Sequence, residues 1–149
     1  MIAYLVHHAH ALSPQQDFER PLSSLGRRQA EWLAARAREH GCRPDAIWHS
    51  GKRRARETAE AFLRACWPSA EFRMVRGLRP EDPTEWMRHE LEADTRDLLL
   101  AGHMPHIAEL LRALCPDAEA LPLHGLVALA RDDDGGWSEA WRASPPADV

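Results

Sequence analysis

The sequence is poor in lysine, in cysteine and in long apolar runs. Of its 19 basic residues, 18 are arginine, and Lys52 is the one lysine in 149 residues. The three cysteines, Cys42, Cys66 and Cys115, are odd in number and form no CxxC pair, which argues against a disulfide framework and a zinc knuckle. No apolar run approaches the roughly 20 residues of a membrane span. Residues 1–6 are too short for a secretion signal and lack its basic start, so a soluble, cytoplasmic protein with no membrane contact is expected. Neither a repeat nor a boundary divides the chain, and one domain over residues 1–149 is expected, with 144–149 as a loose tail. That length suffices for a core without disulfide or metal staples. A hydrophobic share of 44% and a charged share of 28% exclude wholesale disorder.

Histidine and unevenly placed charge are what the sequence has in plenty. There are nine histidines and a net charge of -4. Residues 20–79 hold 14 basic and 6 acidic residues, whereas residues 80–149 hold 5 basic and 15 acidic. A net acidic chain without a basic tail is a poor nucleic-acid binder, and a local basic patch for a small anion fits better.

Residues 2–6 are continuously apolar and β-prone, as a buried strand should be. Ser23 is placed to cap a helix whose apolar row is Leu25, Ala30, Leu33, Ala34 and Ala37, and His40-Gly41 closes it. Residues 46–48 form a second strand, and Ser50 can cap a second helix that buries Ala55, Ala59, Phe62 and Cys66. A short strand at 71–75, a loop at 77–83 and a helix at 84–92 follow. The run 98–101 is a buried strand, Pro105 opens a helix with Ile107, Leu110, Leu111 and Leu114 on one face, and residues 126–130 and 137–141 are strands around the turn 132–136. Alternating strands and helices predict a three-layer α/β sandwich with a mostly parallel sheet, whose ligand crevice lies at the carboxyl ends of its strands.

Three strands carry unusual chemistry at those ends: His7-His8-Ala9-His10, then His49-Ser50-Gly51-Lys52-Arg53-Arg54, then Gly102-His103-Met104-Pro105-His106. Four cations crowd the second helix start, where the macrodipole disfavours each by roughly 0.3–1 kcal/mol. A bound anion would offset that cost, with Arg54 best placed beside the inward Ala55 row. The bland alternative is a solvated face pairing with Glu57 and Glu60. A neutral imidazole is a competent nucleophile toward phosphorus, and His8 and His103 each follow an apolar strand directly. His40 and His89 read as solvent-facing. Trp86 sits near a crevice rim, and His124, just before a strand, is in position to line the crevice without a role assigned to it.

The segments Tyr4 to Ala11, Arg20-Pro21-Leu22-Ser23-Ser24-Leu25-Gly26, Ser50 to Thr58 and Gly102-His103-Met104-Pro105 resemble, in order and spacing, the motifs of the histidine phosphatase superfamily (phosphoglycerate mutase-like). The short length points to its small bacterial branch, the phosphohistidine phosphatases of the SixA type. The resemblance implies that fold, His8 as the phosphorylated nucleophile, and His103 as the second histidine on the phosphoryl group. It also implies phosphate binding by Arg54 and Arg20, with no metal or organic cofactor. The expected partners are a phosphohistidine-bearing protein, or a small phosphorylated substrate, and inorganic phosphate.

The chain departs from the pattern where the family has Arg-His-Gly and this sequence has His7-His8-Ala9. An imidazole at His7, with an ordinary pKa near ~6.5, would be a partly charged phosphate ligand at neutral pH. Ala9 is tolerable unless a positive φ is required. The acid is the other gap: Asp82 and Glu81 after the third strand, or Asp17 in the first loop, are the candidates. Two further readings stand beside the enzyme: a degenerate phosphate-binding member, and a metal hydrolase using His8 and His10 with His103, His106 or His124.

Overall fold

The computed structural model describes residues 1–149. Six strands form one sheet: β1 (Ile2–His7), β2 (Ala46–His49), β3 (Glu71–Met74), β4 (Leu98–Gly102), β5 (Leu126–Arg131) and β6 (Trp137–Ala143), in the order β3-β2-β4-β1-β5-β6. The pairs β1–β4, β2–β4 and β2–β3 are parallel, and β5 and β6 add antiparallel to the other edge of β1. Helices α1 (Ser24–Glu39), α2 (Arg53–Cys66), α3 (Thr84–Ala93) and α4 (His106–Leu114) make up the outer layers. This is the mixed α/β architecture expected from the alternation of strands and helices.

The alternation of side chains along the strands explains the layers. Tyr4 and Val6 of β1, Ile47 of β2 and Leu99 of β4 face α1 and α2, packing on Leu33, Ala37, Ala59 and Phe62. Ala3, Leu5, Trp48, Leu98 and Leu100 face α3 and α4, packing on Met87, Leu91, Ile107 and Leu110. Each fully buried Leu or Phe contributes roughly 1.5–3 kcal/mol. Both faces of β1 and β4 are dry, so the strand tips are held rigidly.

Local rules hold at both ends of α1. The Ser23 hydroxyl accepts the Gly26 N–H at 3.0 Å, and Gly41 closes α1 at φ +79°. A Cβ at Gly26 would lie 1.9 Å from the His10 carbonyl oxygen, so only glycine lets α1 rest on the chain leaving β1. Pro105 caps α4 one residue earlier than its expected place in the first turn. One expectation fails: Lys52, not Ser50, is the N-cap of α2, and it makes no side-chain capping bond. After β6 the chain forms no further helix or strand, and the Arg28 guanidinium donates to the Val149 carbonyl at 3.4 Å.

Candidate active site

His8 is the first residue beyond β1. Its N–H donates to the Gly102 carbonyl at 3.0 Å, joining the tips of β1 and β4. The ring Nδ1–H donates to the Ala9 carbonyl at 2.7 Å. That bond fixes the tautomer and leaves Nε2 with a lone pair. Burial, reinforced by the charges of Arg54 and Arg20 and by His124, holds the His8 pKa down to about 4 against the opposing Ala9 bond. The ring is therefore neutral and nucleophilic at pH 7. Thr58 holds this loop: its hydroxyl accepts the Ala9 N–H at 3.0 Å and donates to the Arg54 carbonyl at 2.8 Å. Ala9 has no positive φ, so nothing in its backbone demands glycine.

His103 follows β4, is 1% exposed, and has its ring centroid 5.0 Å from that of His8. The Ser50 hydroxyl lies 2.6 Å from His103 Nε2 while accepting the Lys52 N–H at 3.3 Å. We assign the tautomer in which the Ser50 hydroxyl donates its hydrogen to Nε2 and the imidazole proton sits on Nδ1. Nδ1 has no protein partner and is free to donate to an oxyanion. This engagement explains why Ser50 does not cap α2. Gly102 is not required by crowding, because a Cβ there would meet Ile107 at an ordinary 3.5 Å.

The cations of α2 divide sharply. Arg53 pairs with Glu19 at 2.8 Å and Glu57 at 3.6 Å, and Arg56 pairs with Glu60 at 3.2 Å. The solvated-face reading fits these two. Arg54 has no carboxylate partner, its Nε, like that of Arg53, is buried without a hydrogen bond, and burial with the nearby Arg20 charge works against its ionisation. A guanidinium remains charged even so, and it awaits an anion. Arg20 stands at φ +51° in the left-handed region with its Nε–H on the Leu12 carbonyl at 2.9 Å. Its charge reaches both His8 and Arg54, and that of Lys52 reaches His103.

His7 differs from expectation. It is 4% exposed, and burial, with His8, His124 and Arg54, pushes its pKa down to about 3. It is thus a neutral ring at physiological pH, not a partly charged clamp. Its Nδ1 accepts the His124 N–H at 2.8 Å, so its hydrogen sits on Nε2. The His124 ring stacks on His7 at 4.9 Å and donates through Nδ1–H to the His8 carbonyl at 2.7 Å. One nitrogen from each of His7, His8 and His124 lies within 4.8 Å of the other two. These bonds leave lone pairs on His8 and His124 but a hydrogen on His7, so the trio as bonded offers a metal two ligands rather than three. His10 is engaged through Nδ1 with the Ser23 hydroxyl at 2.6 Å and stands edge-on to His124, ring centroids 6.1 Å apart. His106 is fully buried with neither ring nitrogen partnered.

The acid candidates fare poorly. Asp82 turns its carboxylate onto the N–H groups of Gly77 at 3.1 Å and Arg79 at 3.0 Å, bracing its own loop. Asp17 accepts the Glu19 N–H at 2.9 Å, and Glu81 is exposed. A cleft of about 480 Å³, lined by Ser50, Met74, Arg76, Arg79, Asp82 and Trp86 among others, meets the histidine cluster through Ser50, the partner of His103. Trp86 does stand at this rim, under the Arg76 guanidinium at 4.7 Å. Sequence reasoning missed Ser50 as the partner of His103, missed Thr58, and left His124 unassigned. A histidine just before a strand was the only signal for the last.

Residues 4–99 match the histidine phosphatase superfamily (branch 1). No curated protein matches the chain by sequence. Among solved structures the chain is similar to the protein histidine phosphatase SixA complexed with tungstate, at 20% identity and a TM-score of 0.86 over 97% of each chain. It is also similar to a protein described as phosphohistidine phosphatase SixA from Agrobacterium tumefaciens, at 25% identity and a TM-score of 0.80, again over 97% of each chain. A phosphoserine phosphatase from Entamoeba histolytica, in complex with 3-phosphoglyceric acid, shares 12% identity at a TM-score of 0.70 over 97% of each chain. The matches below 25% identity speak to fold alone.

Proposed function

The chain belongs to the histidine phosphatase superfamily, and on that premise we propose that it removes the phosphoryl group from phosphohistidine in a protein by way of a phosphorylated His8. The observation that carries this reading is the state of His8: a neutral ring, locked through Nδ1, with Nε2 unprotonated beside the unpaired Arg54. Nε2 attacks phosphorus, the bond to the substrate nitrogen breaks, and that nitrogen leaves as it takes a proton. Water then displaces His8 and inorganic phosphate departs. Arg54 and Arg20 supply positive charge to the three phosphoryl oxygens, and His103 Nδ1–H and His7 Nε2–H donate to them. His103, His7 and Arg20 are each fixed beforehand by a bond to protein, so little reorganisation of these groups accompanies the transfer.

Phosphohistidine is favoured over an alkyl phosphate because an imidazole leaves readily without a carboxylic acid to protonate it, and Asp82, the carboxylate that lines the cleft, is engaged with backbone amides. One specific observation favours the degenerate, binding-only reading, namely that the arginine of the first motif is replaced by the neutral His7. Incubation with phosphoramidate separates the two. The wild type is expected to acquire acid-labile, base-stable phosphate and to release inorganic phosphate, unaffected by chelators, whereas His8→Ala does neither. Saturable phosphate binding with no labelling and no turnover would establish the binding-only reading instead.

A further inference from the structure

His124 is built into the site more deliberately than a loop residue needs to be. It stands at φ +55°, in a left-handed conformation that side-chain-bearing residues adopt at a cost and that gathers at functional sites. Its backbone N–H holds His7, its ring lies on His7, and its Nδ1–H holds the His8 carbonyl. With Nδ1 engaged, the lone pair of Nε2 is left over and makes no hydrogen bond. One of its ring nitrogens lies within 4.8 Å of one nitrogen each of His7 and His8, and its ring centroid is 6.1 Å from that of His8, so its ring borders the space that a phosphoryl group on His8 would enter.

That lone pair conflicts with a phosphoryl dianion, whose oxygens are acceptors too. A proton on Nε2 resolves the conflict. We propose that His124 is the proton carrier of this site: it takes up a proton as the phosphoryl group arrives, gives it to the departing atom of the substrate, and regains one from the attacking water. This rests on the phosphatase reading above and supplies the acid that Asp82, Glu81 and Asp17 do not. The balance closes. As the His8 Nε2 lone pair bonds to phosphorus, the electron pair of the breaking bond goes to the leaving atom, which takes the proton from His124. In the second displacement neutral His124 accepts a proton from water as its oxygen bonds to phosphorus, and the pair of the P–N bond returns to His8.

The groups facing His124 are His7 and His8 at the tip of β1 and His10 beyond it, with its ring centroid 6.1 Å away. Arg54 lies behind His7 and His8 from α2. No carboxylate bonds to any of these rings. His103 is a poorer carrier, being almost wholly buried with Nε2 held by Ser50. His124 is half-buried; burial, with His10 beside it, holds its pKa below the ordinary value against the opposing bond to the His8 carbonyl, and the charge of an arriving phosphoryl dianion works against that burial.

The test uses His124→Asn, because asparagine accepts the left-handed backbone and can still donate to the His8 carbonyl but carries no transferable proton. Two substrates differing only in leaving group are compared, 4-nitrophenyl phosphate, which departs without a proton, and phenyl phosphate, which needs one. The variant is expected to lose about 10²-fold in kcat on phenyl phosphate and less than about threefold on 4-nitrophenyl phosphate. Equal losses on both would make His124 merely structural and overturn the proposal. Independently, calorimetric titration with vanadate in buffers of different ionisation enthalpy should show about one proton taken up by the wild type and none by His124→Asn. Unchanged uptake in the variant would also overturn it. A wild type that takes up the proton but turns over neither aryl phosphate, and phosphoramidate no better, would sink the phosphatase reading while leaving the proton site in place.

Discussion

The two ends of the central sheet handle polar groups in opposite ways. At the amino ends of the parallel strands, acidic side chains are fully engaged. Asp97 accepts the Ile2 N–H at 2.8 Å, Asp45 accepts the Asp97 N–H at 2.9 Å, and Arg96 closes on Asp94 at 3.0 Å. Trp48 donates its indole N–H to Glu71 at 2.9 Å. At the carboxyl ends, a few residues along the same strands, capacity is left over: His103 Nδ1 and Arg54 Nε are buried without partners, and the His8 and His124 lone pairs face no donor. Buried polar groups are costly unless satisfied. An end that leaves several of them open is arranged for something that completes it, and the group that fits two guanidinium ions and several imidazoles is an oxyanion.

The contrast is broken most strongly by acid, which acts on the two ends in different pH ranges. His7 and His8 have folded pKa values lowered to about 3 and about 4, and that of His103 is lowered as well, against an unfolded value near ~6.5. Between those limits the unfolded chain binds protons that the folded chain does not. Stability is therefore full above about pH 6.5 and falls as pH drops toward 4, by up to ~1.4 kcal/mol per pH unit for each buried histidine. The carboxylates of Asp94 and Glu71 are lowered by Arg96 and Trp48, respectively, so their contribution is lost only below the ordinary carboxylate range. Urea midpoints at pH 7, 6 and 5 check this, and a flat profile would mean the histidines are charged in the fold. His7→Asn should reduce the slope.

Next in size is the loss of the open guanidinium. Arg54→Ala should lower kcat by about 10²–10³-fold, the range for removing one preorganised partner of transition-state charge, without lowering thermal stability. A loss of stability with turnover intact would place Arg54 among the structural cations. The matching lesion at the closed end is Asp97→Ala, which strips the Ile2 N–H of its acceptor. That should destabilise the fold by about 1–3 kcal/mol while leaving kcat of the remaining folded protein within about twofold, as denaturant midpoints and active-site-normalised rates would report.

How far the sequence reveals this asymmetry depends on the range of the interactions. Helix and strand positions are legible from local patterns, because β1 and β4 are apolar on both faces and α1 carries its own cap at Ser23. The strand tips that bear His8 and His103 are legible for the same reason. What is illegible depends on partners distant in the chain. Ser50 satisfies the rule for a helix cap, and only the approach of His103, 53 residues later, diverts its hydroxyl. His7 and His124 are 117 residues apart, so neither the neutrality of the one nor the orientation of the other leaves a local trace. Arg53 and Arg54 are adjacent and alike in sequence; Glu57, four residues on, offers Arg53 a local partner, but the shorter pair with Glu19, brought back by the first loop, leaves no local trace.

That distinction supplies the smallest and sharpest prediction. Arg53 is more than one-third exposed, and its pair with Glu19 lies at the surface, where such pairs contribute roughly 0–1 kcal/mol. Arg53→Ala should therefore change stability by less than about 1 kcal/mol and kcat by less than about threefold, one residue away from a substitution expected to cost a hundredfold or more. If instead the two variants lose turnover equally, the α2 start acts through summed positive charge rather than through one open guanidinium. Raising the salt concentration would then weaken the wild type by screening, whereas a half-buried Arg54 hydrogen-bonded directly to the phosphoryl group would be less sensitive to it.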